Sequence, residues 1–503
     1  MQILPTLCFL SNMATKRKTL NVGYMRPEVM DAQPDWKLVD DAVAGSRVVK
    51  AAGETYLPKP VASLDTEQND ELYKKYKTRA CFYPVVGKTL HGMTGEVYAK
   101  EPTQEIPDGL APLVENIDGN GVSLQQQVKT TLAAVLKHGR GGLLADFPAL
   151  PPGEVVTQAD VESGRVRPRI LRYRANQIIN WGHTVIGGES ILSLLVLAET
   201  SEEPGEDGFE VSKKRRFRVY RLGTEATEAG TQRLAATVEV WEVDDELTKA
   251  NQDGTTEYKQ TEPPQRVVQA NQEPFPFIPF QFIGSVDNDA TVDPSPLLDI
   301  ASLNISHYRN SADFEHSSYY SGQPSPVFTG LTQDWVDENL KGGVFFGSSH
   351  AIPLPVGASA TLLQANPNTM AGAAMERKEA QMRALGARLI EAGGVQRTAF
   401  EAGVDKAGEV SVLANVARNV STAYRAAFYN ASLFLSPVEL SQVVFELNTK
   451  YDFGGMTVQE VVDSWMKGLV SKQEARDNLR RKGANLLKDD LAEEQIRADG
   501  VDI

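Results

Sequence analysis

Apolar residues recur at Leu297, Ala301, Ile305, Tyr308, Ala312 and Tyr319, in steps of three, four or seven. That spacing predicts a helix over 296–320, roughly 37 Å long at about 1.5 Å per residue. Gly322-Gln-Pro-Ser-Pro breaks it, and a compact β-rich insertion follows: a strand PVFTG, a short helix capped by Thr332, a strand GVFFG, then HAIPLP and ATLLQ. A second helix is expected over 369–391, with Met375, Met382, Leu385 and Leu389 on one face and Glu379/Arg383 as an i,i+4 pair. Gly393-Gly394 ends it, and 394–408 is a glycine-containing loop of mixed charge. A third helix over 409–435 carries Leu413, Val416, Val420, Tyr424, Ala427 and Phe428 on its buried stripe, and one strand, 442–448, follows. By periodicity alone these stripes describe a helical-bundle core.

The first 293 residues read differently. A helix is expected over 65–80 from Leu72, Tyr73 and Tyr76, and CFYPVVGKTLHGMTGEVYAKEP reads as strand, turn, strand. A helix over 123–138 stops at Gly139, and GGLLADF reads as a buried strand closed by Pro148. Strand signals then dominate: RILRY, QIINW, ILSLLVLAE, FRVYRLG, TVEVWEV and PFIPFQFIG, in a mixed α+β body. The C-terminal 454–499 reads as short helices.

The chain has 503 residues, a formal charge of −15 and a mean hydropathy of −0.30, ordinary for a globular chain of about three domains. Acidity argues against a protein that clings to nucleic acid, because phosphate binding is driven by Lys and Arg displacing counterions. Two cysteines, Cys8 and Cys81, cannot build a disulfide framework or a Cys-based zinc site. The longest apolar run, Ile191 to Leu197, is far short of a membrane span. MQILPTLCFLSN lacks the basic region and small-residue cleavage site of a signal peptide, and Met13 is a candidate true start.

The usual chemical signatures are missing. Gly87-Lys88-Thr89 invites a phosphate-cradling reading, but the glycine that motif needs five residues earlier is Phe82, and Pro84 removes an amide. A plain strand-turn position is expected. Asp287, Asp289 and Asp293 resemble half a calcium loop, yet Val292 stands where glycine is needed and Leu298 where the bidentate Glu belongs, so a solvated acidic loop is expected. None of the six histidines has metal-site spacing, and Cys81 reads as core packing in an apolar strand. The basic run Lys213–Arg218, following acidic 202–210, reads as a solvated strand edge. No catalytic residue, metal ligand or cofactor site is predicted.

The order of elements resembles that of tailed-phage portal proteins, or head-to-tail connectors. Local blocks are similar too: YKKYKTRACFYPVVGKTLHGMTGEVYAKEP, LKHGRGGLLADFP, ANQIINW, IPFQFIG, SPLLDIASLNISHYRNSADFEH, MRALGARLIEAGG and VSVLANVARNVSTAYRAAF, spanning 73–428. The resemblance implies an α+β portal fold of wing, stem, clip and crown. An arm covers 1–24, the wing 25–293 with a return strand in 437–453, and the stem helices 294–320 and 369–393. The clip is then 321–368, the tunnel loop 394–408, the long following helix 409–436, and crown plus tail 454–503. WMKGLVSKQEARDNL resembles the helix-turn-helix common in crowns, although this crown is short.

What the family implies for function is a homo-oligomeric ring, a dodecamer, at the portal vertex of a virion capsid, assembled in the host cytoplasm. Double-stranded DNA enters and leaves through it. The terminase large subunit and later head-tail adaptor proteins dock at the clip, major capsid and scaffolding proteins meet the wing, and no membrane, cofactor or enzymatic step is involved. The resemblance assigns Arg397, Glu401, Asp405 and Lys406 to the tunnel loop, with Gly393, Gly394, Gly403 and Gly408 as hinges. It assigns Val327, Phe328, Val344, Phe345 and Phe346 to clip contacts between subunits, where short strands can pair with a neighbour. Without the resemblance, 394–408 is an ordinary interhelical connection. Two other readings stand beside it: another virion ring component, an adaptor or tail-tube protein, and a nucleotide-dependent enzyme using Gly87-Lys88-Thr89.

Overall fold

A computed structural model describes residues 21–60, 66–148, 167–205, 207–227, 230–244, 248, 256–322, 325–339, 354–363, 369–390, 411–451 and 476. The chain divides into two units, Met1–Thr449 and Lys450–Ile503, and every strand and helix with described bounds lies in the first.

In chain order the helices are α1 (Pro27–Ala44), α2 (Ser46–Ala51), α3 (Glu67–Arg79), α4 (Val85–Val97), α5 (Pro112–Glu115), α6 (Leu124–His138), α7 (Leu298–Ser321), α8 (Gln333–Asn339), α9 (Thr369–Ile390) and α10 (Val412–Ser432). The strands are β1 (Thr103–Glu105), β2 (Arg140–Asp146), β3 (Arg169–Arg174), β4 (Ile178–Ile186), β5 (Glu189–Pro204), β6 (Val211–Ala226), β7 (Gln232–Val243), β8 (Tyr258–Arg266), β9 (Phe280–Gly284), β10 (Ser325–Thr329), β11 (Ser359–Leu363) and β12 (Val444–Glu446). The fold is mixed helix and sheet, as expected.

β4 to β8 form a five-stranded antiparallel meander. Side chains alternate across it because successive strand residues point to opposite faces. Ile178, Trp181, Leu195, Leu197 and Tyr220 face one core, with Val29 and Trp36 of α1 and Phe280 and Phe282 of β9. Ile179, Val196, Phe217 and Val219 face the other, with Val22. A three-stranded sheet, ordered β3-β2-β9, lies beneath the first core. Its central strand β2 is buried along nearly its whole length, as the unbroken apolar run GGLLAD requires.

α10 packs against α6, β2 and β9, with its expected stripe, Leu413 to Phe428, fully buried. A buried polar network fixes its depth. Tyr424 Oη donates to Gln127 Oε1 at 2.9 Å and lies 2.9 Å from Thr131 Oγ1, while Gln127 Nε2 donates to the Ile170 carbonyl. After α10, β12 returns to pair antiparallel with β1, Thr103 opposite Glu446. α6 carries a Ser123/Gln126 capping box and stops at Gly139, whose φ of +70° requires glycine.

One expectation fails here, and one helix was not expected. The segment expected as strand-turn-strand after Cys81 is α4, and Val86, Leu90, Met93 and Val97 form a buried helical stripe that its β-branched and glycine residues disguised. α1 was not legible, because Pro34 lies inside it and its apolar residues are sparse.

Candidate functional site

α7 and α9 form an antiparallel pair. Gly372 faces Phe314, and seven residues along each helix His307 Nε2 lies 3.4 Å from Glu379 Oε1. Lys378 Nζ donates to the Ser306 carbonyl at 3.1 Å and also bonds Asn310. Burial pulls the His307 pKa below its ordinary value, against the opposing pull of Glu379.

From its amino-terminal end onward α7 is held to the body, as far as Tyr319, where the Arg79 guanidinium lies 3.6 Å from the ring centroid. Asn304 Nδ2 donates to the Tyr83 carbonyl, Arg309 Nε to the Tyr56 carbonyl, and Tyr76 Oη to Asp313 Oδ1. The Cys81 amide donates to Ser311 Oγ at 2.7 Å, and Cys81 is exposed on an irregular segment, not packed in a strand as expected. At the other end of α7, Tyr319 and Tyr320 are exposed. Among the described side chains of α9 only Ala371, Met382 and Gly386 are buried, while Met370, Arg377, Gln381, Arg383 and Arg388 face solvent. The expected Glu379/Arg383 pair forms at 3.4 Å.

Between these helices β10 and β11 pair antiparallel, with Val327 opposite Thr361 and Phe328 opposite Ala360. Thr329 and Ser359 hydroxyls lie 2.8 Å apart. Every described residue of β11 is exposed, Leu362 at 62% and Leu363 at 67%, and Val327 on β10 is exposed too. A two-stranded sheet is marginal by itself in water, so this one calls for further packing. Of the predicted clip residues, Val327 and Phe328 lie on β10, and Val344, Phe345 and Phe346 fall outside the described residues. Arg397, Glu401, Asp405, Lys406, Gly393, Gly394, Gly403 and Gly408 fall outside them too, as does the expected 454–499 helical region save Arg476.

Other sequence-level candidates resolve into structure. Gly87, Lys88 and Thr89 sit inside α4, not at a strand turn. A Cβ on Gly87 would lie 3.0 Å from the Val43 carbonyl oxygen, so this glycine serves close packing of α4 on α1. Asp293 is buried, not solvated: its Oδ2 accepts from the amides of Val286 and Asp287, and Asp289 Oδ1 accepts from that of Thr291. Among the described residues no group of three His, Cys, Asp or Glu could hold a metal, and no helix is long and apolar enough to cross a membrane.

The basic run lies in β6 and divides. Arg216 to Arg218 stand between β5 and β7, not at an edge, while Lys213 to Arg215 pair with β5 alone and form the expected strand edge; among the described residues all its cations but Arg215 are matched by carboxylates. Lys213 pairs Glu202 at 3.2 Å, Lys214 pairs Glu203 at 2.6 Å, and Arg218 bridges Glu199 and Asp146 at 3.1 and 3.2 Å. Arg169 adds a second cation to Asp146, and Tyr173 Oη donates to Glu199. Sequence reading missed this network, although acidic β5 followed by basic β6 was its visible signal.

Residues 296–435 match a family model described as a domain of unknown function, DUF4055. That span runs from the start of α7 through the β10–β11 pair and α9 to the end of α10. No curated protein matches the chain. Among solved structures, the chain is similar to one in the neck of an empty GTA particle computed with C6 symmetry. The TM-score is 0.37 and the identity 15%, over 87% of this chain and 98% of that one. A chain in the virion of a native gene transfer agent particle gives 0.35 and 13%, over 86% and 98%. One in the neck of a native GTA particle computed with C12 symmetry gives 0.34 and 13%, over 79% and 89%.

Proposed function

We propose that this protein is a portal, the ring-shaped head-to-tail connector at one vertex of a tailed-phage capsid. The observation that carries the reading is the pair α7/α9, packed on the α+β body along α7 and leading into a β pair with exposed Val327, Leu362 and Leu363. Such a module is unfinished in one copy. Neighbours around a ring can extend its strands and cover its apolar side chains. The sequence blocks shared with portals supply the rest of the support.

On this reading the wing is 25–293 with the return strand, the stem is α7 and α9, and the clip is 321–368. The tunnel loop is 394–408, with Arg397, Glu401, Asp405 and Lys406 near passing DNA and Gly393, Gly394, Gly403 and Gly408 as hinges. The crown is 454–503. The channel conducts double-stranded DNA during packaging and ejection and performs no catalysis. The terminase large subunit and later adaptor proteins dock at the clip, and capsid and scaffolding proteins meet the wing at the portal vertex.

Electron microscopy of the purified full-length protein tests this. A closed ring, twelve-fold by the resemblance, with a central channel is expected. A monomer sinks the reading, and a continuous tube favours a tail-tube component instead. Deleting 395–407 should leave the ring intact while DNA packaging or retention fails. Loss of the ring itself would show that this segment is not the tunnel loop.

A further inference from the structure

β5 and β6 outrun their sheet. β6 pairs with β7 only from Arg216 onward, so 200–204 and 211–215 form a two-stranded ribbon about 17 Å long beyond the sheet. Its residues 202–204 and 207–213 are exposed. A bare ribbon of this kind is marginal in water. This one is held by the Glu202–Lys213 and Glu203–Lys214 pairs, and its turn is set by hydrogen bonds. The Gly205 amide donates to the Glu210 carbonyl at 2.7 Å, and Asp207 Oδ1 accepts from the amides of Phe209 and Glu210. This ordered turn displays Phe209, 90% exposed, with Val211 exposed beside it. Asp207 and Glu210 make no ion pair among the described residues, so the tip is an aromatic anchor with an acidic rim.

The body carries the complement. A cleft of about 700 Å³ is lined by Met25, Met30, Pro34 and Trp36, with Lys37 and Arg215 at its polar side. Met30 is half exposed, and methionine lines surfaces that adapt to an incoming side chain. The acids there are already engaged: Asp40 by Lys137 and His138, Asp41 by Lys37 and the Tyr56 hydroxyl. Arg215 makes no ion pair among the described residues. It stands at the root of the ribbon whose tip carries Phe209, so a chain cannot seat its own tip in its own cleft.

We propose that the Phe209 tip of one copy inserts into the Met25–Met30–Trp36 cleft of a second copy, with Asp207 and Glu210 meeting its Arg215. Tip and cleft are different surfaces of one chain, so the contact is head-to-tail and closes into a ring when the rotation allows. It rests on the ring reading and adds a contact in the wing, away from the β10–β11 pair. The phenylalanine supplies the buried anchor, and the acid–Arg215 contact selects the register.

Disulfide trapping tests it in the full-length chain carrying Cys8→Ser and Cys81→Ser. Mixed Phe209→Cys and Met30→Cys chains should link on mild oxidation, well above a mixture in which Val286→Cys replaces Met30→Cys, since a disulfide needs Cβ atoms about 4 Å apart. Phe209→Ser should weaken ring assembly about tenfold in mass photometry, and Phe209→Tyr should retain it. Rings that form without the 209–30 link, or with unchanged affinity in Phe209→Ser, overturn this contact alone. A wild-type chain that stays monomeric overturns the ring reading as well. A disulfide within one chain between Met30→Cys and a retained Cys8 would give the cleft to the chain's own amino-terminal segment and overturn the proposal.

Discussion

Arg140 is 1% exposed, and none of its guanidinium nitrogens has a hydrogen-bond partner among the described residues. It stacks on Trp181 at 4.0 Å, with Arg26 over the same indole at 4.5 Å and Phe282 at 5.2 Å from Arg140. Burial, with Arg26 nearby, pulls its pKa down to about 10 against the acids Asp289, Asp293 and Glu28. A desolvated cation–π contact recovers about 2 kcal/mol, while an unpaired buried charge costs several. Arg140→Met should therefore leave urea stability unchanged within about 1 kcal/mol or raise it, whereas Trp181→Ala should lose about 3–5 kcal/mol. A loss of several kcal/mol in Arg140→Met would reveal a specific acceptor for the guanidinium. Asp40 behaves oppositely. Burial raises its pKa, but His138 and Lys137 at 3.0 and 2.5 Å outweigh it and hold the carboxyl at about 2, below the ordinary 3.8. A depressed folded-state pKa gives stability that is full above the unfolded value and fades as pH falls toward 2. Asp40→Asn should flatten the decline of Tm between about pH 4 and pH 2, and an unchanged acid limb would mean that the pair does not hold α1 to α6.

At the scale of elements, what the sequence revealed depended on whether periodicity and partners were local. α6, α7 and α10 were readable because their buried stripes repeat over four turns or nearly so, and α9 was readable from its apolar spacing although Met382 is the one fully buried member among Met375, Met382, Leu385 and Leu389. α4 was not: three valines, three glycines and two threonines speak for strand and turn, and its packing on α1 and α6 makes the helix the better answer. β8, YKQTEPPQR, was missed because an edge strand with two prolines has no apolar alternation to show. The placement of Arg216–Arg218 in the middle of a sheet depends on carboxylates of other strands, which linear reading does not bring together. The clip expectation was legible only in part, since β10 and β11 could be read as strands but not as each other's partners. Leu362 and Leu363 lie on opposite faces of the pair, and both are exposed. Leu362→Glu and Leu363→Glu together place two charges where neighbours are proposed to pack, and should abolish or greatly weaken ring formation while leaving the monomer's far-UV spectrum and Tm unchanged. If rings persist at normal affinity, the β10–β11 pair is not an interface between copies.

For the molecule as a whole, charge is the property with the widest reach. Each chain carries −15, and its strongest basic run is matched by the carboxylates of β5, Glu262 and Asp146. The cations that a phosphate backbone would need are therefore largely spent inside the fold. DNA presents about one negative charge per 1.7 Å of axis, so a ring of such chains repels it except where cations without an ion pair among the described residues, such as Arg377 and Arg388 of α9, are locally dense. A conduit gains from this, because cargo that bound tightly would stall. Non-specific binders hold DNA with dissociation constants of about 10⁻⁴ to 10⁻⁶ M at physiological salt. The assembled protein should bind duplex DNA more weakly than that range, with affinity barely changing between about 50 and 200 mM salt. Fluorescence anisotropy of a labelled duplex against purified rings measures both quantities. Micromolar binding that falls a thousandfold over that interval would mean many phosphate contacts, and would make the protein a DNA clamp instead of a channel.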